Sequence, residues 1–277
     1  MLSTFIIALR EGLEASLIVG ILVAYIIRTD RRSLLKPLWL GVAGAVIASL
    51  GLGALLSFTS AELTPRGNQL FAGTTSFIAV ALVTWMVFWM KRTARYLKSE
   101  LHGKVDNALT AGPLTLAGVA FFAVVREGLE TALFIYANFR TVSGTTSATI
   151  GLILGFAISI TLGWAIFKSA IKMNLSKFFT YTGIGLIVVA AGVLAYGVHE
   201  YQELGWLPGP DAFAWDTTSW MAKDSIAGAV LGGTVGFDTT TSWLQFLIWA
   251  IYLVAVLTPY LRPARSKALV SKLPTAE

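Results

Sequence analysis

The chain has 277 residues, of which 56% are apolar and only 13% are charged. A soluble domain carries about 25% charged residues, so this composition excludes an ordinary soluble protein. Apolar stretches long enough for a helix to cross a bilayer, about 20 residues, recur along the whole sequence. The absence of cysteine and the presence of only two histidines exclude thiol chemistry and a His-rich metal site. The sequence therefore predicts an integral membrane protein.

The hydropathy pattern predicts an all-α protein whose residues 1–277 form a single transmembrane domain. Its seven spans are predicted over residues 4–27, 38–58, 70–90, 114–137, 149–167, 178–198 and 243–261. Sixteen Lys and Arg residues fall in the loops and tail of one side and only three on the other. The positive-inside rule then places the N-terminus outside and the C-terminus in the cytoplasm. The net charge of +6 follows from these loops and indicates no nucleic-acid partner.

An internal repeat is the strongest signal along the chain. Residues 10–14 read Arg-Glu-Gly-Leu-Glu, and residues 126–130 repeat this pentapeptide, with seven identities between 5–19 and 121–135. Self-similarity of this kind indicates a duplicated unit. We assign residues 1–91 to a first three-helix repeat, 114–200 to a second, 201–242 to an extracytoplasmic segment, and 243–277 to the seventh helix and a cytoplasmic tail. Three spans per unit would invert the second copy, an architecture typical of transporters.

Each pentapeptide places ionisable groups well inside a predicted span, where they are candidates for function by default. Its two glutamates share a helix face at spacing i, i+3, and its arginine precedes the second glutamate by one turn. The candidate metal ligands are Glu11, Glu14, Glu127 and Glu130, and their motif partners are Arg10 and Arg126.

The glycines of the two motifs, Gly12 and Gly128, lack side-chain bulk, and we expect the two motif helices to cross there. Such a crossing would gather four carboxylates and two guanidinium groups, with a net charge of −2. Ion pairs that pin the repeats together would leave that charge unbalanced, so a bound cation or protons must supply the remainder. Carboxylate oxygens suit a hard cation. From the residues alone, iron, manganese, calcium and protons all stay open.

The doubled pentapeptide in spans one and four of a seven-span chain resembles the oxidase-dependent iron transporters. The stretch Thr84-Trp85-Met86-Val87-Phe88-Trp89-Met90, which closes span three, and His199-Glu200, which closes span six, extend the resemblance over nearly the whole chain. It implies iron uptake across the cytoplasmic membrane, with the four motif glutamates as ion ligands. Iron would be the transported substrate, with no prosthetic group. A separate extracytoplasmic oxidase or peroxidase and iron-delivery proteins would be the partners.

Two other classes of function compete with an iron permease. A proton-coupled exchanger of another cation, such as manganese or another divalent metal, could use the same glutamates as proton carriers. A membrane-embedded di-iron enzyme would pair Glu-x-x-His with further glutamates. Neither histidine follows a glutamate of a span at that spacing, which argues against the enzyme.

The segment 199–242 is rich in acidic residues and holds a second candidate group. Glu200 and Glu203 repeat the Glu-x-x-Glu spacing, and His199 could add a nitrogen ligand. We interpret these three residues as a possible site of outer cation recruitment. The competing interpretation is an ordinary solvated loop with the end of a helix.

Overall fold

A computed structural model describes residues 1–93, 112–141, 145–168, 174–221 and 225–262. The basic linker 94–111 and the predicted cytoplasmic tail from residue 263 onward lie outside the described residues. Within the described ranges the protein is almost entirely helical. The long helices are α1 (Leu2–Arg28), α2 (Leu35–Glu62), α3 (Pro65–Thr93), α4 (Pro113–Thr141), α5 (Thr145–Phe167) and α6 (Leu175–Glu203). They are followed by β1 (Phe213–Asp216), the short helix α7 (Ile226–Val235), β2 (Thr240–Ser242) and the long helix α8 (Trp243–Leu261).

Every predicted span lies inside one of these long helices, which confirms the all-α membrane class. Five of them, α2, α3, α5, α6 and α8, are long and apolar enough to cross a membrane. The other two, α1 and α4, carry the charged pentapeptides, whose residues lower the apolar content of their centres. That all seven helices cross the bilayer stays a prediction.

The long helices pair across the two predicted repeats rather than within them. The most extensive packing joins α1 to α5, α2 to α4, and α3 to α6, while α1 also contacts α4. The small residues Gly151 and Gly155 of α5 permit the first of these pairs, because a Cβ atom at Gly155 would lie only 2.7 Å from the Cβ of Ala8. Because the helices of the two repeats pack against each other in this way, α1 and α4 come into contact at the centre of the bundle.

The prediction that the two motif helices cross at Gly12 and Gly128 is wrong, because each glycine packs against a different helix. A Cβ atom at Gly12 would meet Ser159 and Phe156 of α5, and one at Gly128 would meet Ser49 of α2. Each glycine lets its helix approach the paired helix from the other repeat. The glutamates of α1 and α4 therefore face each other without a glycine contact between these two helices.

One end of the bundle is tied together by polar contacts near the start of α1 and the ends of α2 and α4. The Ser3 hydroxyl donates to Asn138 Oδ1 at 2.8 Å, and Ser60 donates to Asn68 Oδ1 at 3.2 Å. We call this the outer end, because the charge bias predicts that it faces outward. An apolar cluster fills the opposite half between α1, α2 and α4, with Leu22 and Leu116 at its centre.

The segment after α6 forms a small cap at the outer end. Helix α6 continues through the polar residues 199–203 and stops before Gly205, whose φ of +74° favours glycine. Strands β1 and β2 then pair antiparallel, which the sequence pattern did not predict. Helix α7 ends at Gly236 in the left-handed conformation, and there its backbone touches Gly192 of α6.

Candidate metal site

The first pentapeptide forms a buried cluster on α1. Arg10 Nη1 lies 2.6 Å from Glu11 Oε1, and its Nη2 lies 2.8 Å from Glu14 Oε1. All three side chains are almost completely shielded from solvent, with exposed fractions of 3% or less. One arginine therefore partly neutralises two carboxylates, and Glu11 Oε2 has no hydrogen-bond partner in the described part of the chain.

The second pentapeptide is arranged differently on α4. Arg126 Nε donates to Glu130 Oε1 at 3.0 Å, and the guanidinium group lies over the indole ring of Trp89 at 4.0 Å from its centroid. Among the described residues no basic side chain forms an ion pair with Glu127, which is 4% exposed and whose Oε2 has no hydrogen-bond partner. The hydroxyl of Thr131 donates to the backbone carbonyl of Glu127 at 2.7 Å and leaves the carboxylate free.

Three of the four motif glutamates converge between α1 and α4. Glu11, Glu14 and Glu127 each offer a carboxylate oxygen, and these oxygens all lie within 4.8 Å of one another. In the part of the chain that the structure describes, no other three acidic or histidine side chains meet this way. Glu130 stands outside the group, paired with Arg126, but it is close enough to interact electrostatically with Glu11 and Glu14.

The charge of this three-glutamate cluster favours a cation. Three carboxylates and the guanidinium of Arg10 leave −2, while Arg126 and Glu130 neutralise each other. Burying unbalanced negative charge costs free energy that a bound cation or protons would offset. Within the described residues, Glu11 Oε2 and Glu127 Oε2 of the cluster, and Glu130 Oε2 beside it, have no hydrogen-bond partner and are buried acceptors of the kind that a metal ion coordinates. The donor set therefore fits a hard or borderline cation.

A cavity of about 820 Å³ lies beside the cluster, between α1, α2, α4 and α5. Glu11 and Glu127 line one end of it, and Ser60 and Arg140 line the other, at the outer end of the bundle. Its walls are mostly apolar, with a row of hydroxyl groups from Ser49, Ser57, Thr131 and Tyr136. The cavity thus extends from the cluster toward the outer end, whereas the apolar cluster fills the bundle on the opposite side.

Arg140 stands between this cavity and a second one. Its Nη2 donates to the Tyr136 hydroxyl and to Asn68 Oδ1, both at 3.0 Å. The second cavity, of about 160 Å³, is also lined by Arg140, together with Tyr196 and His199. In the sequence, Arg140 is one of the three basic residues in the loops of the predicted outer side. Nothing in its local sequence marks it, since the two cavities meet there only in three dimensions.

The structure places the three outer candidate residues in different surroundings. His199 Nδ1 lies 3.0 Å from the amide nitrogen of Gln245, Glu200 hydrogen-bonds to the Tyr196 hydroxyl, and Glu203 is exposed. The Ser242 backbone N–H donates to Gln245 Oε1 at 3.3 Å, which turns the Gln245 amide nitrogen toward His199. Nδ1 of His199 is therefore an acceptor, and in the neutral ring Nε2 carries the proton. His199, Glu200 and Glu203 do not converge on one point.

The comparisons with known proteins agree on one family. The model of the iron permease FTR1 family matches residues 1–269. The ferrous iron permease EfeU of Escherichia coli O6:H1 is 35% identical over 275 residues, which cover 98% of this chain and 99% of the relative. EfeU of Yersinia pestis is 35% identical over 271 residues, covering 97% and 96%.

No solved structure matches the chain significantly. The matched relatives are named permeases, which are transporters rather than enzymes, so the comparisons give the di-iron enzyme no support. The resemblance found in the sequence is confirmed, and the chain belongs to the iron permease FTR1 family.

Proposed function

We propose that this chain imports iron across the cytoplasmic membrane and binds the ion at Glu11, Glu14 and Glu127, with Glu130 at the edge of the site. The observation that carries the proposal is the convergence of three buried carboxylates with a net charge of −2 beside a large cavity. Ferrous iron is the substrate that the names of the relatives suggest. A divalent ion would balance the charge of the three-glutamate cluster.

The route of the ion follows from the position of the cavity. Iron enters from the outer end, passes the hydroxyl groups of the cavity and reaches Glu11 and Glu127. The apolar cluster around Leu22 and Leu116 must separate before the ion leaves on the other side. The charge bias of the loops supports an outward N-terminus and a cytoplasmic C-terminus. The two three-helix units, 1–91 and 114–200, act as the inverted halves of the transporter.

Two kinds of partner belong to the proposal. A separate extracytoplasmic oxidase or peroxidase and an iron-delivery protein would supply the ion at the outer end. The second cavity, near His199 and Tyr196, lies where such iron first meets the chain. Of the three candidate residues for outer recruitment, His199 lines this cavity, whereas Glu200 and Glu203 lie outside its lining, so recruitment by the two carboxylates would take place before the ion enters the cavity.

The test is uptake of radioactive iron by proteoliposomes that contain only this protein. Glu11→Gln, Glu14→Gln and Glu127→Gln should each reduce the initial rate at least about tenfold, since every variant removes one of the negative charges that offset the ion's desolvation. Glu62→Gln is the matched control, because Glu62 is an exposed glutamate at the end of α2. Uptake at the control rate in the three site variants would refute the site.

The same vesicles distinguish a permease for iron from an exchanger of another cation. Uptake of manganese is measured at equal concentration, with and without an imposed pH gradient. An iron permease should take up iron in preference to manganese at fixed pH. Manganese uptake that requires the gradient and exceeds iron uptake would favour the proton-coupled exchanger.

A further inference from the structure

The two pentapeptides are identical in sequence, but their arginines form different ion pairs. The sequence of the motif does not explain this difference. Arg10 contacts both glutamates of its motif, at 2.6 Å and 2.8 Å. Arg126 contacts only the second, Glu130, although the same spacing puts Glu127 within its reach. Something outside the motif keeps the Arg126 guanidinium away from Glu127.

The aromatic neighbours of the two arginines supply the cause. The guanidinium of Arg126 lies 4.0 Å from the centroid of Trp89, and Trp85 contacts it from 5.7 Å. Among the described residues, Arg10 has only the ring of Phe179, at 6.0 Å, the outer limit of a cation–π contact. Tryptophan is the strongest partner for such a contact. The indole of Trp89 therefore competes with Glu127 for the guanidinium of Arg126.

What a cation meets at Glu127 depends on the outcome of this competition. With Arg126 on Trp89 and Glu130, Glu127 keeps a partnerless oxygen. With Arg126 turned toward Glu127, as Arg10 is turned toward Glu11, that oxygen would accept from the guanidinium and be lost as a ligand, although the four glutamates and two arginines together would keep their charge of −2. A cation would then bind more weakly.

We infer that Trp89 is a positioning residue that holds Arg126 away from Glu127 and so keeps Glu127 open to the transported cation. The inference rests on the proposed function, since it assigns Glu127 to the ion site. Trp89 lies on α3, outside both pentapeptides. It affects the ion site only by positioning Arg126.

The experiment measures binding of anaerobic Fe²⁺ to the purified full-length protein by equilibrium dialysis. Trp89→Leu should raise Kd at least tenfold, about 1.4 kcal/mol, because it frees Arg126. Trp89→Phe keeps an aromatic face and should change Kd less than about threefold. Trp164→Leu is the matched control, since Trp164 stacks under Lys168, which belongs to neither motif. Trp89→Met repeats the test with a second apolar side chain.

A double-mutant cycle separates positioning from a structural role. In an Arg126→Gln background, Trp89→Leu should leave Kd unchanged, because the group that Trp89 restrains is gone. An equal loss of affinity in both backgrounds, or wild-type affinity of Trp89→Leu, would overturn the inference. Glu127→Gln tests the proposed function separately. If Glu127→Gln loses iron while Trp89→Leu binds it normally, only the role of Trp89 fails, and normal binding by Glu127→Gln refutes the site itself.

Discussion

A methyl group added at Gly128 tests whether close packing of α4 on α2 sets the geometry of the ion site. Gly128 directly follows Glu127, and a Cβ atom there would lie 2.8 Å from Ser49 Cβ and closer still to Ser49 Oγ. Ordinary contact begins at 3.4 Å, so the helices would have to separate by about 0.6 Å even if the Ser49 hydroxyl rotated away, and by more if it stayed. The Ser49 hydroxyl donates to the Ala45 carbonyl at 2.8 Å, which holds that side chain in place.

The expected cost of Gly128→Ala follows from two opposing effects. Overpacking costs about 1–3 kcal/mol. Replacing glycine by alanine within a helix contributes up to about 1 kcal/mol in the stabilising direction. Gly118→Ala is the matched control, because Gly118 lies on the same helix and has nothing within 4 Å of the added methyl group. The free energy of unfolding of Gly128→Ala should therefore lie about 1–3 kcal/mol below that of Gly118→Ala.

The assay is denaturant unfolding in mixed micelles, combined with iron uptake in proteoliposomes. Adding Ser49→Gly to Gly128→Ala removes both clashing atoms and should recover most of the lost stability, after correction for the effect of Ser49→Gly alone. Gly128→Ala should also slow uptake, because the shift of α2 moves the cavity wall beside Glu127. Equal stability of Gly128→Ala and Gly118→Ala, or no recovery in the double variant, would refute the close approach of α2 and α4.

Four further outcomes are expected. Arg10→Lys should reduce iron uptake more than Arg126→Lys, because one ammonium group cannot reproduce a fork that contacts two carboxylates; equal losses would contradict this difference. Iron binding to the purified protein should weaken as the pH falls, since protons compete with the metal for the carboxylates, and pH-independent binding would argue against carboxylate ligands. An inside-negative potassium–valinomycin potential should accelerate uptake, because a divalent ion gains about 4.6 kcal/mol per 100 mV; a rate that follows only a pH gradient would indicate electroneutral exchange. Arg140→Gln should raise the uptake rate of iron, because it removes a positive charge between the two cavities. Arg66→Gln alters an exposed arginine and should leave the rate unchanged. A lower rate in Arg140→Gln would show that the arginine assists the passage of the ion.

The helices and the motif pairs were accessible from the sequence because both depend on short-range patterns. Apolar runs of membrane-spanning length predicted each long helix, and the i, i+4 spacing predicted the contacts of Arg10 with Glu14 and of Arg126 with Glu130. Gly151 and Gly155 of α5 stand four residues apart, a spacing typical of helix packing faces, and a Cβ atom at Gly151 would meet Met1 and Thr4 of α1. Local backbone geometry decides such features, and local geometry is encoded within a few residues.

The partner of each close contact was not accessible in the same way. Gly12 and Gly128 signalled a close approach, but their sequence could not say that α5 and α2, rather than the other motif helix, lie against them. The convergence of the three carboxylates could not be predicted for the same reason, because the distance between Glu11 and Glu127 depends on how α1 and α4 pack.

The membrane class, the helices, the family and the net charge of the motif residues follow from the amino-acid sequence, since each depends on composition, spacing or similarity along the chain. Which carboxylates are neutralised depends instead on how the helices pack. The two pentapeptides are identical in sequence, yet Arg10 serves two glutamates and Arg126 serves one. The cause is Trp89, which α3 brings over Arg126 from 37 residues away in the chain, whereas in the described part of the chain the ring over Arg10 is that of Phe179, at 6.0 Å.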